Sequence, residues 1–198
     1  MKYRRSITIP FLLINAFFVC CNTNSDLKHR DWNCKTIDED KICIPSSWEF
    51  KHQSKALFFS YLNNKDDNSY FAVLKYNRTT SGLDAIKYLK QLYVVLQKKD
   101  TIETSQGYSL KKLISDNNIT YYNEIYTKIS NKPYLTYSTV FEKDDDLYEI
   151  VLKVEIANSV KYKVIYRDIL FNFHHKDKPI FSPDDKINEI QVIDLSKL

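Results

Sequence analysis

Only two glycines, Gly82 and Gly107, occur in 198 residues. A phosphate cradle of the P-loop or dinucleotide-binding kind needs several glycines within a few positions, so that backbone amides can close on the ligand. Nucleotide binding of that kind is therefore excluded. What replaces glycine is aromatic: 15 Tyr and 11 Phe, residues that favour half-buried pleated strands. With 43% hydrophobic and 27% charged residues, the chain is too apolar for a disordered one. It is long enough for one packed domain with an appendage.

Charge adds little. Lys2, Arg4 and Arg5 sit in an acid-free leader, and without them 26 basic residues face 25 acids. The basic balance thus belongs mostly to the leader, and the rest lacks the electrostatic footprint that nucleic-acid binding requires. No nucleic-acid partner is expected.

The leader has the order of an export signal. Its bases precede a thirteen-residue apolar stretch over 7–19 that ends at Cys20 and Cys21. Spanning a bilayer takes about 20 such residues, and Pro10 and Asn15 interrupt the stretch further. An apolar signal ending in cysteine, followed by polar Asn22, Thr23, Asn24, Ser25 and Asp26, resembles the lipobox of bacterial lipoproteins. There the cysteine sulfur takes a diacylglycerol and becomes the new N-terminus. Cys21 fits better than Cys20, because a small residue precedes the modified position; Phe18 stands where leucine is commonest. A plain cleaved signal peptide, or an uncleaved apolar start with two incidental cysteines, is the alternative. Acylation at Cys21 implies a chain held on a lipid bilayer without crossing it, since several acyl chains together anchor stably.

Cys34 and Cys43 fall in the exported part, symmetric about Asp38 and Glu39. A reverse turn over 36–41 brings them opposite each other, and a disulfide is expected in an oxidising compartment. Two free, buried thiols are the alternative. Zinc calls for about four ligands in paired spacing, and no histidine lies between or beside this pair, so no metal is expected.

The boundaries expected are a signal peptide over 1–20, a polar tether over 21–31, a folded domain over 32–175 and a C-terminal extension over 176–198. Strands are expected at 41–44, 56–62 and 70–76, the last two joined by a polar loop at 63–68. Ser81, Gly82, Leu83 and Asp84 read as one helix start. The helix then runs to about Lys99, with Leu83, Ile86, Leu89, Leu92, Tyr93 and Leu96 on one stripe. Four further strands are expected at 108–114, 119–129, 134–141 and 147–156. In the last, Tyr148, Ile150, Leu152, Val154 and Ile156 alternate with Glu149, Lys153 and Glu155, the pattern of a sheet covered on one side. Asn158 or Ser159 caps a second helix carrying Tyr162, Ile165, Tyr166, Ile169 and Phe173. Alternation at Val160, Tyr162, Val164 and Tyr166 leaves a strand start as the competitor. Residues 190–195 either add an edge strand or form a loose tail.

This order, a hairpin leading into Ile44, Pro45, Ser46, Ser47 and Trp48, then a helix, a four-strand antiparallel meander and a closing helix, resembles the PsbP-like fold. The resemblance rests also on the aromatic strand at 70–76, the acidic turn and strand at 144–156, and Ile169, Leu170, Phe171, Asn172 and Phe173. It covers about residues 42–173. It implies an α/β class, an α/β/α sandwich with a mostly antiparallel sheet behind a lipoprotein signal peptide. Members include an extrinsic photosystem II subunit, a nuclear-import factor that binds the Ran GTPase, and small bacterial envelope lipoproteins. The resemblance implies a non-catalytic binding or assembly role and carries over no site residue.

Candidate chemistry is sparse. His174 and His175 are adjacent, pointing about 100° apart on a helix, and read as a helix end. His29 and His52 are isolated. Asp144, Asp145 and Asp146 lack the alternation, central glycine and late glutamate of a calcium loop and read as a solvated turn. Ser46 and Ser81 have no nucleophile-elbow setting. Asn77 and Asn118 match the glycosylation pattern with Thr79 and Thr120, which carries no expectation in a bacterial protein. Of the tyrosines, Tyr61, Tyr76, Tyr121, Tyr122, Tyr126, Tyr134, Tyr137, Tyr148, Tyr162 and Tyr166 are numerous enough that some should leave the core and form a binding patch. The expectation is a non-enzymatic lipoprotein of the bacterial envelope, on the outer membrane or a periplasmic face, without cofactor or catalytic residues. It acts on an envelope protein partner; the alternative is a carrier of a small apolar ligand held between sheet and helix.

Overall fold

In the computed structural model the described residues are 32–62, 68–97, 103–116, 118–194 and 197. The signal peptide, the tether, Cys20, Cys21 and His29 lie outside them, as does most of the 63–68 loop.

Twelve strands, three α-helices and a single-turn 3-10 helix (Ile156–Asn158) are described. The strands are β1 (Trp32–Ile37), β2 (Asp40–Pro45), β3 (Glu49–Phe50), β4 (Phe58–Tyr61), β5 (Tyr70–Asn77), β6 (Glu103–Ser115), β7 (Ile119–Ile129), β8 (Lys132–Lys143), β9 (Asp146–Glu155), β10 (His174–His175), β11 (Lys178–Pro179) and β12 (Ile187–Val192). The helices are α1 (Arg78–Ser81), α2 (Ala85–Gln97) and α3 (Ser159–Phe171). The expected meander is present: β6, β7, β8 and β9 pair consecutively and antiparallel. They lie within an eight-stranded sheet of order β12-β6-β7-β8-β9-β5-β4-β3, beside a four-stranded sheet of order β1-β2-β10-β11.

Turns without glycine use Asn, Asp, Ser and Lys in the left-handed region, where short polar side chains are tolerated best. Ser130 and Asn131 (φ 46° and 68°) close β7 onto β8, and Asp144 (φ 52°) helps to close β8 onto β9. Gly82, at φ 66°, ends α1, and its N–H donates to the Arg78 carbonyl. The expected single helix start is therefore two devices. Ser81 belongs to α1, and Asp84 Oδ1 accepts from the Lys87 N–H at 2.8 Å to cap α2. Glu142 on β8 accepts from the Ala85 N–H at 2.8 Å, so a side chain of the sheet satisfies a helix-terminal donor.

β9 differs from the expected one-sided strand. Every residue from Leu147 to Val154 is buried, so the sheet is covered on both faces rather than one. Tyr148, Ile150, Leu152 and Val154 join Phe71, Val73, Phe141, Tyr166, Ile169 and Phe173 in one core beneath α3. Leu147 joins Val140, Tyr121, Leu110, Ala85 and Leu89 in a second core beneath α2. Each large side chain so enclosed contributes about 1.5–3 kcal/mol relative to exposure.

The second helix forms as expected over Ser159–Phe171. It does not reach the histidines: Asn172 ends it, and His174 and His175 enter a strand. The C-terminal extension contributes strands to both sheets, β11 to the small one and β12 to the edge of the large one.

Candidate functional site

The densest polar cluster lies where the small sheet meets the end of the large one. Asp38 (φ 53°) and Glu39 form the turn of the β1–β2 hairpin, and Asp40 is the first residue of β2. β10 pairs with β2 so that His175 lies opposite Asp40. Lys176 and Asp177, both at positive φ, then reverse the chain into β11, and the Lys176 N–H donates to the Glu39 carbonyl at 2.8 Å. The large sheet supplies Lys75 and Tyr148, which are cross-strand partners. Asp144 comes from the β8–β9 turn and Asp146 from the start of β9.

Asp40 is fully buried and its carboxylate collects three donors. His175 Nδ1 lies 2.8 Å from Oδ1. Lys75 Nζ donates to Oδ2 at 2.8 Å, and the Tyr148 hydroxyl lies 3.0 and 3.1 Å from the two oxygens. The other nitrogen of His175, Nε2, is 3.1 Å from Asp144 Oδ2. Each ring nitrogen thus faces a carboxylate oxygen. Lys176 Nζ reaches Asp144 at 2.7 Å, and Lys75 reaches Asp146 at 3.2 Å.

These contacts shift the charges they join. Lys176, then His175, hold the Asp144 carboxyl down at about 2. Burial works against the Lys75 ammonium, but its bonds to Asp40, Tyr148 and Asp146 outweigh that and raise it above the usual lysine range. Burial, then the Asp40 charge, raise the Tyr148 phenol despite Lys75.

A second buried acid lies on the opposite face of the sheet. Glu149 on β9 accepts from Ser138 Oγ at 2.5 Å and from the Tyr88 hydroxyl of α2. Its burial raises the carboxyl, against those two bonds. The same burial, with Glu149 beside it, pushes the Tyr88 phenol far up.

Cys34 and Cys43 are disulfide-bonded, directly opposite in the β1–β2 register. The bridge closes the hairpin that presents Asp40. Asp144 is not a merely solvated turn residue, since it holds His175 and Lys176. His175, expected at a helix end, is the buried centre of the cluster. Neither site follows from local pattern, since His175 meets Asp40 across 135 residues and Glu149 meets Tyr88 across 61. One local cue was available: Lys176–Asp177 is a polar pair between two short segments, which suits a tight hairpin. The tyrosines are mostly interior. Tyr137 stacks on Tyr166 at 5.6 Å and Tyr148 on Phe141 at 5.2 Å. The exposed apolar groups are mainly aliphatic: Val94 and Val95 on α2, Val160 and Val164 on α3, and Ile190 and Val192 on β12.

In chemical terms the cluster binds its own parts together. In a nucleophile–base pair the distal imidazole nitrogen faces a hydroxyl or thiol; here it faces Asp144. An open depression of about 380 Å³ abuts Lys75 and Asp146 and is lined also by Ser54, Lys55, Leu57 and Asn77. It is shallow and charged, unlike the enclosed apolar pockets that hold small ligands. Among the described residues no group of His, Cys, Asp and Glu is arranged to hold a metal ion.

No protein-family model matches the chain, and no curated protein does. Solved structures do. The cyanobacterial PsbP protein (CyanoP) of Synechocystis aligns with a TM-score of 0.54 at 10% identity, covering 77% of this chain and 97% of that one. A Bacteroides thetaiotaomicron protein gives 0.45 at 11% identity, over 69% of this chain and 45% of its own. A Pseudomonas aeruginosa protein of unknown function gives 0.39 at 11%, over 69% and 92%. The last two carry no weight here. The fold is PsbP-like, a mostly antiparallel sheet packed between helices.

Proposed function

We propose that this chain is a bacterial lipoprotein, acylated at Cys21 and held in the cell envelope by its lipid, whose PsbP-like domain acts by binding another envelope protein. The observation that carries the non-catalytic part is the saturation of His175: it is buried, and both ring nitrogens are engaged by Asp40 and Asp144. A ring so placed turns neither nitrogen toward a substrate. The Cys34–Cys43 disulfide supports export, because such bonds persist in oxidising compartments. A carrier role is less well supported. The space between the sheet and α3 is filled by Tyr137, Tyr166, Ile169 and Phe173, each 2% exposed or less.

Cross-linking of the native protein in its membranes, beside a Cys21→Ser variant, tests the proposal. The native chain is expected in the membrane fraction, linked to an envelope protein, and the variant in the soluble fraction. A co-purified apolar lipid with no linked protein would favour the carrier instead.

A further inference from the structure

Among the described residues nine large apolar side chains are exposed, and six of them lie on the α3 side of the large sheet. Glu124 of β7 marks that side, because Lys163 of α3 donates to its carboxylate at 2.9 Å. Alternate residues of a strand share a face, so Tyr122 and Tyr126 lie there too, the latter 38% exposed. Residues directly opposite in register also share a face. Tyr122 is paired with Lys111, which is paired with Val192, and two residues along the same strands Leu113 is paired with Ile190. On α3 itself Val160 and Val164 stand one turn apart, 83% and 43% exposed, with Ile156 in the turn before them. The helix is thus apolar on two sides. Tyr162, Ile165, Tyr166 and Ile169 pack inward, and the two valines project outward.

The chain enters the domain on this same side. Trp32 is the register partner of Pro45. A turn closed by the Trp48 N–H on the Pro45 carbonyl at 2.9 Å then brings Trp48 to 6.0 Å from Tyr162 of α3. Ile42, Ile44 and Trp48 join the core beneath α3, whereas α2 covers the other core. Ten residues, 22–31, separate Cys21 from Trp32, and ten residues reach at most about 36 Å. A lipid on Cys21 therefore keeps the bilayer within that distance of the entry point. An anchored domain meets its membrane at high effective concentration, so a modest apolar contact is enough to orient it. Charge is secondary here: Lys163 and Arg167 are already paired with Glu124 and Asp168.

We propose that the outer face of α3 is a membrane-docking face. Val160 and Val164, with Ile156 before them, enter the headgroup region of the bilayer that holds the lipid, as the apolar faces of interfacial helices do, and α2 points away from it. This goes beyond the protein-binding reading and rests on its lipid anchor.

The test uses the natively acylated protein in phosphatidylcholine nanodiscs containing a phospholipid with a nitroxide on its headgroup, with valine and isoleucine methyl signals followed by NMR. The methyl signals of Val160 and Val164 are expected to be lost while those of Val94 and Val95 on α2 persist. Val160→Glu combined with Val164→Glu should restore the Ile156 signal at an unchanged thermal midpoint. No loss at Val160 and Val164, equal loss on both helices, or a persistent loss at Ile156 in the double variant would overturn the proposal. A photoactivatable side chain in place of Val160, irradiated in native membranes, should link to phospholipid; a link to another protein or to a second copy of this chain would overturn it as well. The chain beginning at Cys21, coupled through that thiol to a maleimide phospholipid, allows the same NMR measurement without cellular acylation. The expected methyl pattern in the coupled chain, beside a cellular chain recovered without lipid, would sink the anchor and leave the docking face. An acylated chain lacking the pattern would sink the docking face and leave the anchor.

Discussion

Asp40→Asn replaces a buried carboxylate with a group of the same shape, so no cavity forms and the loss is electrostatic. Three donors lose their anion at once: His175 Nδ1 at 2.8 Å, Lys75 Nζ at 2.8 Å and the Tyr148 hydroxyl at 3.0 Å. The new amide also directs an NH₂ group at one of them. Removing one partner of a buried ion pair costs about 3–5 kcal/mol. The lower end applies, because Lys75 keeps Asp146 at 3.2 Å and His175 keeps Asp144 at 3.1 Å. A loss of about 3 kcal/mol lowers the thermal midpoint of a chain this size by roughly 6–12 °C. Equilibrium urea unfolding read by tryptophan fluorescence measures it, because Trp48 packs on Phe71 and Tyr162 in the core. In a Lys75→Met background the same substitution should cost at least about 1 kcal/mol less, the sign of direct coupling. A loss below about 1 kcal/mol, or strict additivity with Lys75→Met, would refute the idea that this cluster holds the two sheets together.

Three further outcomes concern Glu149, Asp144 and the Cys34–Cys43 bridge. Glu149 has a raised carboxyl pKa in the folded state, so the folded chain holds its proton longer than the unfolded one and stability falls as pH rises above about 4.3, the unfolded value; Glu149→Gln should remove that fall, and its advantage in urea midpoint should grow from pH 4 upward. Asp144, depressed to about 2, contributes stability that is fully present above its unfolded value and lost as pH falls through about 2. Asp144→Asn should therefore unfold more easily than the native chain at neutral pH and converge with it in strong acid, as acid titration by circular dichroism would record. Cys43→Ser opens a loop with a sequence separation of 9 and should cost about 2.5 kcal/mol in urea unfolding under non-reducing conditions, an offset that vanishes when both chains are reduced.

The strands were legible where their period was local. β7 was expected at 119–129 and is Ile119–Ile129, and the disulfide was legible because a turn of a few residues joins its ends. β9 departs from its alternating pattern for a definite reason. Glu149 and Lys153 look like a solvent face, and only partners remote in sequence, Ser138 and Tyr88 for Glu149, make a buried acid tolerable there. His175 was hidden in the same way. The apolar spacing through Phe173 suggests that the helix continues to the histidines, but Phe173 meets Phe141 and Tyr148 from outside the helix. Asp40, the histidine's main partner, lies at the other end of the domain sequence. Helical spacing reports a face and says nothing of what is brought to it by pairing between distant strands.

The state of the N-terminus in the living cell decides whether this chain is lipid-anchored, and intact-mass spectrometry of the native protein reads that state directly. A chain that begins at Cys21 and carries a diacylglyceryl thioether is the predicted result. A chain that retains Met1 and carries no fatty acid would contradict the account, removing the anchor and the envelope location on which the proposed partner depends.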